Sequence, residues 1–133
     1  MKDRGFRTKI GSEIYLEGCL FMNNYFEGGF IIFDTNDETK FGKYQSVDTE
    51  FIGMKGPQGG IVNVGEIGIH SDIKCLFFRC YFERNSVEYH GGIIYSTLNK
   101  TSQFVTFENC TFHDNSAKHG ININIYYFNL INM

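Results

Sequence analysis

Apolar and polar residues alternate along this chain in short runs, and the runs return at a fixed spacing. Aligned on Cys19, Cys80 and Cys110, the same residue classes recur at the same offsets. Five positions before each cysteine stand Ile14, Cys75 and Val105, and three before stand Leu16, Phe77 and Phe107. Two positions after come Phe21, Phe82 and Phe112, and five after come Asn24, Asn85 and Asn115. A weaker copy runs through Tyr44, Ser46, Thr49, Phe51 and Met54, with Thr49 in the cysteine place and Met54 in the asparagine place. The anchors 19, 49, 80 and 110 are therefore 30, 31 and 30 residues apart.

Within each copy the period is two residues, that of a half-buried strand. The phase slips by one between the position three before the anchor and the anchor itself, which predicts a bulge or slight bend. Gly28-Gly29, Gly59-Gly60, Gly91-Gly92 and Gly120 mark a second bend, and a second β-rich run follows: FIIF at 30–33, IVNV at 61–64, GIIY at 92–95 and ININI at 121–125. No amphipathic helix pattern of useful length occurs. A unit of two or three short strands cannot close a core alone, but stacked units can. The pattern thus predicts an all-β solenoid, a parallel β-helix of about four turns of roughly 30 residues, rising about 4.8 Å per turn. The handedness rule for parallel crossovers makes the coil right-handed. A WD40 propeller is disfavoured by its longer blades and by the absence of Trp, and a leucine-rich repeat by the scarcity of Leu.

Composition narrows the function classes. The chain has 133 residues and a mass of 15.3 kDa, which fits residues 1–133 as a single domain or a fragment of a longer array. A net charge of −3 with a sequence pI of 5.8 gives no electrostatic case for nucleic acid. The N-terminal MKDRGFRTKIGSE has no apolar core of a secretory signal, and no apolar run is long enough for a transmembrane helix. The four cysteines form no C-x-x-C pair and leave the redox compartment open.

The paired motifs F-x-x-N and G-G-[small]-I resemble the repeats of polymorphic outer membrane proteins, in the right-handed parallel β-helix, pectate-lyase-like superfamily. They stand here as FMNN at 21–24, FERN at 82–85 and FHDN at 112–115, with GGFI at 28–31, GGII at 91–94 and the incomplete GINI at 120–123. FIGM at 51–54 lacks the Asn, whereas GGIV at 59–62 is intact. The resemblance spans about residues 13–126. It implies a surface or extracellular, adhesin-like protein that contacts a host or cell-surface protein or glycan, and it brings no catalytic residue with it. Two departures, the missing signal peptide and membrane barrel and the Asn/Ile/Tyr-rich tail after Gly120, mark the chain as a fragment or truncated gene product in this reading.

Each column of equal offsets carries a specific expectation. Phe21, Phe51, Phe82 and Phe112 should form an inward aromatic stack. Cys19, Thr49, Cys80 and Cys110 should be small buried groups, with a Cys80–Cys110 disulfide conceivable by spacing but awkward for in-register parallel neighbours. Asn24, Asn85 and Asn115 should occupy left-handed turn positions or bond neighbouring turns as a ladder. Glu27, Gln58, His90 and His119 precede the glycines; two His and a carboxylate are a metal-ligand vocabulary, but their spacing favours a solvated turn edge, and no metal or cofactor is expected. No catalytic activity is expected either. Were the chain a lyase or hydrolase, its catalytic residues would be Asp48, Glu50, Arg79 and Tyr81, which share one outer face of adjacent turns. The bland alternative is an exposed Asp48–Arg79 pair, with Arg84 and Asp114 as another. The sequons at Asn99 and Asn109 are weak glycosylation signals. Neither end offers an obvious cap, so self-association through the C-terminal turn, residues 121–131, is expected.

Overall fold

In the computed structural model the described residues are 6–7, 12–35, 41–58, 60–67, 72–96, 104–119 and 123–124. They form an all-β structure of four sheets, and every strand pairing in it is parallel. The first sheet holds β2 (Ser12–Glu17), β5 (Phe41–Val47), β9 (Asp72–Phe78) and β13 (Val105–Glu108). The second holds β3 (Leu20–Met22), β6 (Glu50–Ile52), β10 (Tyr81–Glu83) and β14 (Thr111–His113). The third holds β7 (Lys55–Gln58), β11 (Ser86–His90) and β15 (Ser116–His119), which Tyr25 joins through a bridge to Lys55. The fourth holds β1 (Phe6–Arg7), β4 (Ile31–Thr35), β8 (Val62–Ile67), β12 (Ile94–Ser96) and β16 (Ile123–Asn124).

The strands of each sheet come from successive repeats in chain order; the first repeat enters the third sheet only through the Tyr25 bridge, and β1 adds a fifth strand to the fourth sheet. The register matches equal offsets: Phe82 lies opposite Phe51 and Phe112, and Cys75 lies opposite Tyr44 and Val105. The inward Phe column stacks as the spacing requires. Ring centroids are 5.3 Å apart for Phe21–Phe51, 5.2 Å for Phe51–Phe82 and 5.0 Å for Phe82–Phe112, with planes within 13° of parallel. Phe77 and Phe107 form a second stack at 4.9 Å and meet the first edge-on. Ser46 holds the equivalent place in its repeat, where its hydroxyl meets the Tyr44 phenol at 2.6 Å.

The phase slip before each anchor is a sharp corner rather than the bulge or slight bend that the pattern suggested. The residue immediately before each anchor is left-handed: Gly18, Asp48, Arg79 and Asn109 have φ of 61°, 47°, 50° and 52°. One such residue lets the chain leave the first sheet and enter the second with inward positions still inward. A second left-handed corner falls four residues after each anchor, at Asn23, Gly53, Arg84 and Asp114. The asparagines five residues after the anchor are thus not the left-handed residues; they follow them. At the glycine bend, Gly91 has φ of 63°, and a Cβ there would collide with the Ile94 carbonyl oxygen.

Arginine in a left-handed corner carries strain that glycine does not. Arg84 is exposed, and the matching corner one turn earlier is already Gly53. Arg84→Gly is therefore expected to raise stability by about 1 kcal/mol, read as a higher urea midpoint at unchanged slope.

The anchor column supplies a small hydrogen-bond donor at the first corner. Each side chain donates to the carbonyl two residues back: Cys19 to Glu17 (3.6 Å), Thr49 to Val47 (3.0 Å), Cys80 to Phe78 (3.5 Å) and Cys110 to Glu108 (3.4 Å). Cys80 also reaches the Ser46 carbonyl and Cys110 the Phe77 carbonyl, each in the preceding repeat. Thiol and hydroxyl are interchangeable here because both are compact donors. All four cysteines are free, so the conceivable Cys80–Cys110 disulfide is not formed. The contact between these two thiols pushes Cys80 up, with burial adding to the rise, and draws Cys110 down. Burial alone pushes Cys75 up.

The asparagine column is the ladder. Asn85 Oδ1 accepts from the Met54 backbone N–H at 2.9 Å, and its Nδ2 donates to the Phe51 carbonyl at 2.9 Å. Asn115 does the same one repeat later, accepting from the Asn85 N–H at 3.0 Å and donating to the Phe82 carbonyl at 2.9 Å. Each asparagine therefore caps one donor and one acceptor of the preceding repeat. Met54 cannot do so, and Asn24 donates instead to the Met22 carbonyl and toward the Met54 sulfur.

Candidate functional site

The outer-face cluster grows from the first corner. A left-handed residue between two strands projects its side chain outward, and in the second and third repeats that residue is Asp48 and Arg79. Arg79 Nε donates to Asp48 Oδ1 at 2.6 Å and Nη2 to Oδ2 at 2.7 Å, a two-pronged pair with about half of each side chain exposed. The guanidinium also lies 4.3 Å from the centre of the Phe78 ring. Glu50 and Tyr81 are direct partners in the second sheet, one residue beyond each anchor. Partial burial and then the Glu83 carboxylate push the Tyr81 phenol up.

The structure thus pairs Asp48 with Arg79 and places Glu50 beside Tyr81. Both Asp48 oxygens are engaged, and the Arg79 hydrogen bonds and charge hold its carboxyl below the ordinary carboxylate value. A carboxylate so held is an anion at neutral pH, not a proton donor. Two surface hollows lie elsewhere. One of about 300 Å³ is lined by Glu13, Ile14, Tyr15, Lys43 and Gln45, and one of about 150 Å³ by Tyr25, Lys55, Gly56, Ser86, Val87 and Glu88. Neither is lined by any of the four candidates.

Sequence spacing did not single out Tyr15 and Glu17, which join the same face from the first repeat. Desolvation and then the Glu17 carboxylate push the Tyr15 phenol up, and Glu17 and Tyr15 both act on the Arg79 charge. Their offsets, four and two before the anchor, are outward positions of β2, which was the available signal. The suggested Arg84–Asp114 pair is replaced by pairs with chain neighbours: Arg84 bonds Glu83, and His113 Nδ1 meets Asp114 at 3.2 Å. An adjacent partner is already within reach and needs no second turn to be ordered.

In the column before the glycines, the backbone of His90 is in register with Gln58 and His119, and the His90 ring stacks on Tyr95 at 5.7 Å. Among the described residues no group of three or more His, Cys, Asp or Glu side chains is placed to hold a metal ion. Asn109 occupies an exposed left-handed corner, whereas Asn99 lies outside the described residues. The C-terminal segment 121–131 also lies outside them apart from Ile123–Asn124. No helix among the described residues is long and apolar enough to cross a membrane.

The Asp48–Arg79 pair predicts a pH response with a definite sign. The folded Asp48 value is depressed, so its small contribution to stability is full above the unfolded carboxylate value and is lost as pH falls through the lowered folded value. Side-chain carboxyl resonances followed by NMR should show Asp48 titrating below the exposed carboxylates, and Arg79→Ala should return it to their range.

Comparison with protein-family models, with curated proteins and with solved structures returns no match to this chain.

Proposed function

We propose that the chain is a non-enzymatic segment of a right-handed parallel β-helix, similar to polymorphic outer membrane protein repeats, that displays its lateral face to a partner at a cell surface or outside the cell. The coil reading is supported by four parallel sheets whose strands come from successive repeats in chain order. One observation carries the display reading: inward positions repeat and outward ones do not. Phe21, Phe51, Phe82 and Phe112 are one residue type, while their outward neighbours are Leu20, Glu50, Tyr81 and Thr111 on one side and Met22, Ile52, Glu83 and His113 on the other. The constant positions are occupied by stacking and backbone capping, which leaves the varied outer face to carry recognition.

Binding of the purified chain to a glycan array and to immobilised cell-surface proteins tests this reading. Saturable binding that Tyr81→Ala or Ile52→Ser abolishes, at an unchanged melting temperature, is the expected result. The alternative of a carbohydrate-active lyase or hydrolase draws on the Glu50–Tyr81 adjacency beside Arg79. Release of new reducing ends or unsaturated products from polysaccharide, abolished by Glu50→Gln, would overturn the display reading in its favour.

A further inference from the structure

The two ends of the strand stack carry complementary halves of the devices that join its turns, and we infer that a second copy of this chain docks head to tail on the first. This rests on the parallel register and is independent of the display reading.

Three junction devices recur between neighbouring turns. The residue after each anchor donates its N–H to the anchor carbonyl of the turn before: Glu50 to Cys19 (2.9 Å), Tyr81 to Thr49 (3.0 Å) and Thr111 to Cys80 (3.0 Å). Each Phe ring lies face to face on the next. Each ladder asparagine reaches back to cap an N–H and a carbonyl of the turn before it. Among the described residues the first turn holds the reaching half of each device with no turn to reach. The Leu20 N–H faces outward from edge strand β3, Phe21 is covered by the stack on one face only, and the Asn24 side-chain oxygen Oδ1 accepts no hydrogen bond among the described residues. The last turn holds the receiving half: the Cys110 carbonyl, the outer face of Phe112, and the Asn115 N–H with the Phe112 carbonyl. Laid in register, Leu20 of one copy meets Cys110 of the other, Phe21 covers Phe112, and the Asn24 amide takes the place that Asn85 and Asn115 take inside the chain.

Exposed apolar side chains point to the same end. Of the five large hydrophobic residues exposed among the described ones, Tyr15, Leu20, Met22 and Tyr25 belong to the first turn, and only Tyr89 lies elsewhere. Two features oppose docking. Glu17 would lie over Glu108 at the equal offset, so association should strengthen with salt as this repulsion is screened. In the fourth sheet, β1 of the incoming copy and β16 of the resident copy claim one place, so one of these two-residue strands must yield. The contact is heterologous, and each added copy leaves the same two faces open, so growth does not stop at a dimer.

Sedimentation velocity of the full chain over a concentration series tests the inference. The weight-average mass should pass twice the 15.3 kDa monomer and keep rising, more steeply at higher salt. Leu20→Pro removes the edge-facing N–H without removing a hydrogen bond inside the chain, and folding of the variant is checked by its melt. It should be monomeric alone, and as a chain stopper it should lower the mean mass when mixed with the wild type, because its last turn still accepts one copy. A wild-type chain that stays monomeric, or that stops at a dimer, overturns the inference whether or not the variant folds. Association by folded Leu20→Pro equal to that of the wild type overturns it as well.

Discussion

Replacing Phe82 by alanine is expected to lower the unfolding free energy by about 3–5 kcal/mol. Phe82 is fully buried, and four other rings surround it. Phe51 and Phe112 lie on its two faces at 5.2 and 5.0 Å, and Phe77 and Phe107 meet it edge-on, both at 5.5 Å. Truncation removes both stacking contacts and both edge contacts, and strands pinned in register on either side cannot collapse into the space. Domains are stable by roughly 5–15 kcal/mol in all, so the variant should sit close to unfolding at 25 °C. Phe21→Ala, at the partly buried end of the stack, should cost visibly less. Arg84→Ala removes an exposed side chain and should stay within about 0.5 kcal/mol of the wild type. Urea midpoints for the three variants give the ranking. Equal losses for Phe82→Ala and Arg84→Ala would contradict the assignment of inward and outward positions.

What the sequence disclosed follows from which side chains the fold constrains. The Phe and Cys/Thr columns were legible because a parallel stack places each inward residue against its own counterpart, so a residue type that packs on itself is repeated. The corners were not legible. Left-handed geometry is met by Gly18, Asp48, Arg79 and Asn109 at one corner and by Asn23, Gly53, Arg84 and Asp114 at the other, and such mixtures make no column. The asparagine column admitted both a left-handed turn and a ladder, because Asn tolerates that conformation and carries an amide. The hydrogen bonds bear out the ladder for Asn85 and Asn115, and the residue before each asparagine makes the left-handed corner. The third sheet was equally hidden, since β7 reads Lys-Gly-Pro-Gln, with no alternation and with a proline. Of the candidate cluster, Asp48–Arg79 stands at equal offsets, whereas Tyr15 and Glu17 are marked only by their outward offsets in β2 and not by residue type, because outward residues answer to neighbours of a different type.

The second large effect is expected at Asn85, where the loss comes from polar groups rather than from volume. Asn85 is fully buried. Its oxygen holds the Met54 N–H, and its amide nitrogen holds both the Phe51 carbonyl and Asn115 Oδ1. Asn85→Ala leaves a backbone donor and acceptor without partners in a site that has no buried unsatisfied side-chain atom among the described residues. Each of the two orphaned groups costs about 1–3 kcal/mol, so a total of about 2–6 kcal/mol is expected, with the slope of the urea transition unchanged. Asn85→Asp separates the donor from the acceptor role. The aspartate keeps an oxygen for the Met54 N–H but loses the donor to Phe51 and turns a buried charge toward Asn115 Oδ1. Burial would raise its folded pKa above the unfolded value, so the folded state binds the extra proton. The stability of this variant is then highest below the unfolded carboxylate value of about 4 and declines as pH rises toward the raised folded value. Urea melts of Asn85→Asp at pH 4 and pH 7 should therefore show the acid sample nearer to the wild type. A purely space-filling role for Asn85 would instead let Asn85→Leu, which fills a similar volume without polar groups, stay within about 1.5 kcal/mol of the wild type, and the ladder would then have to be given up as what holds the repeats in register.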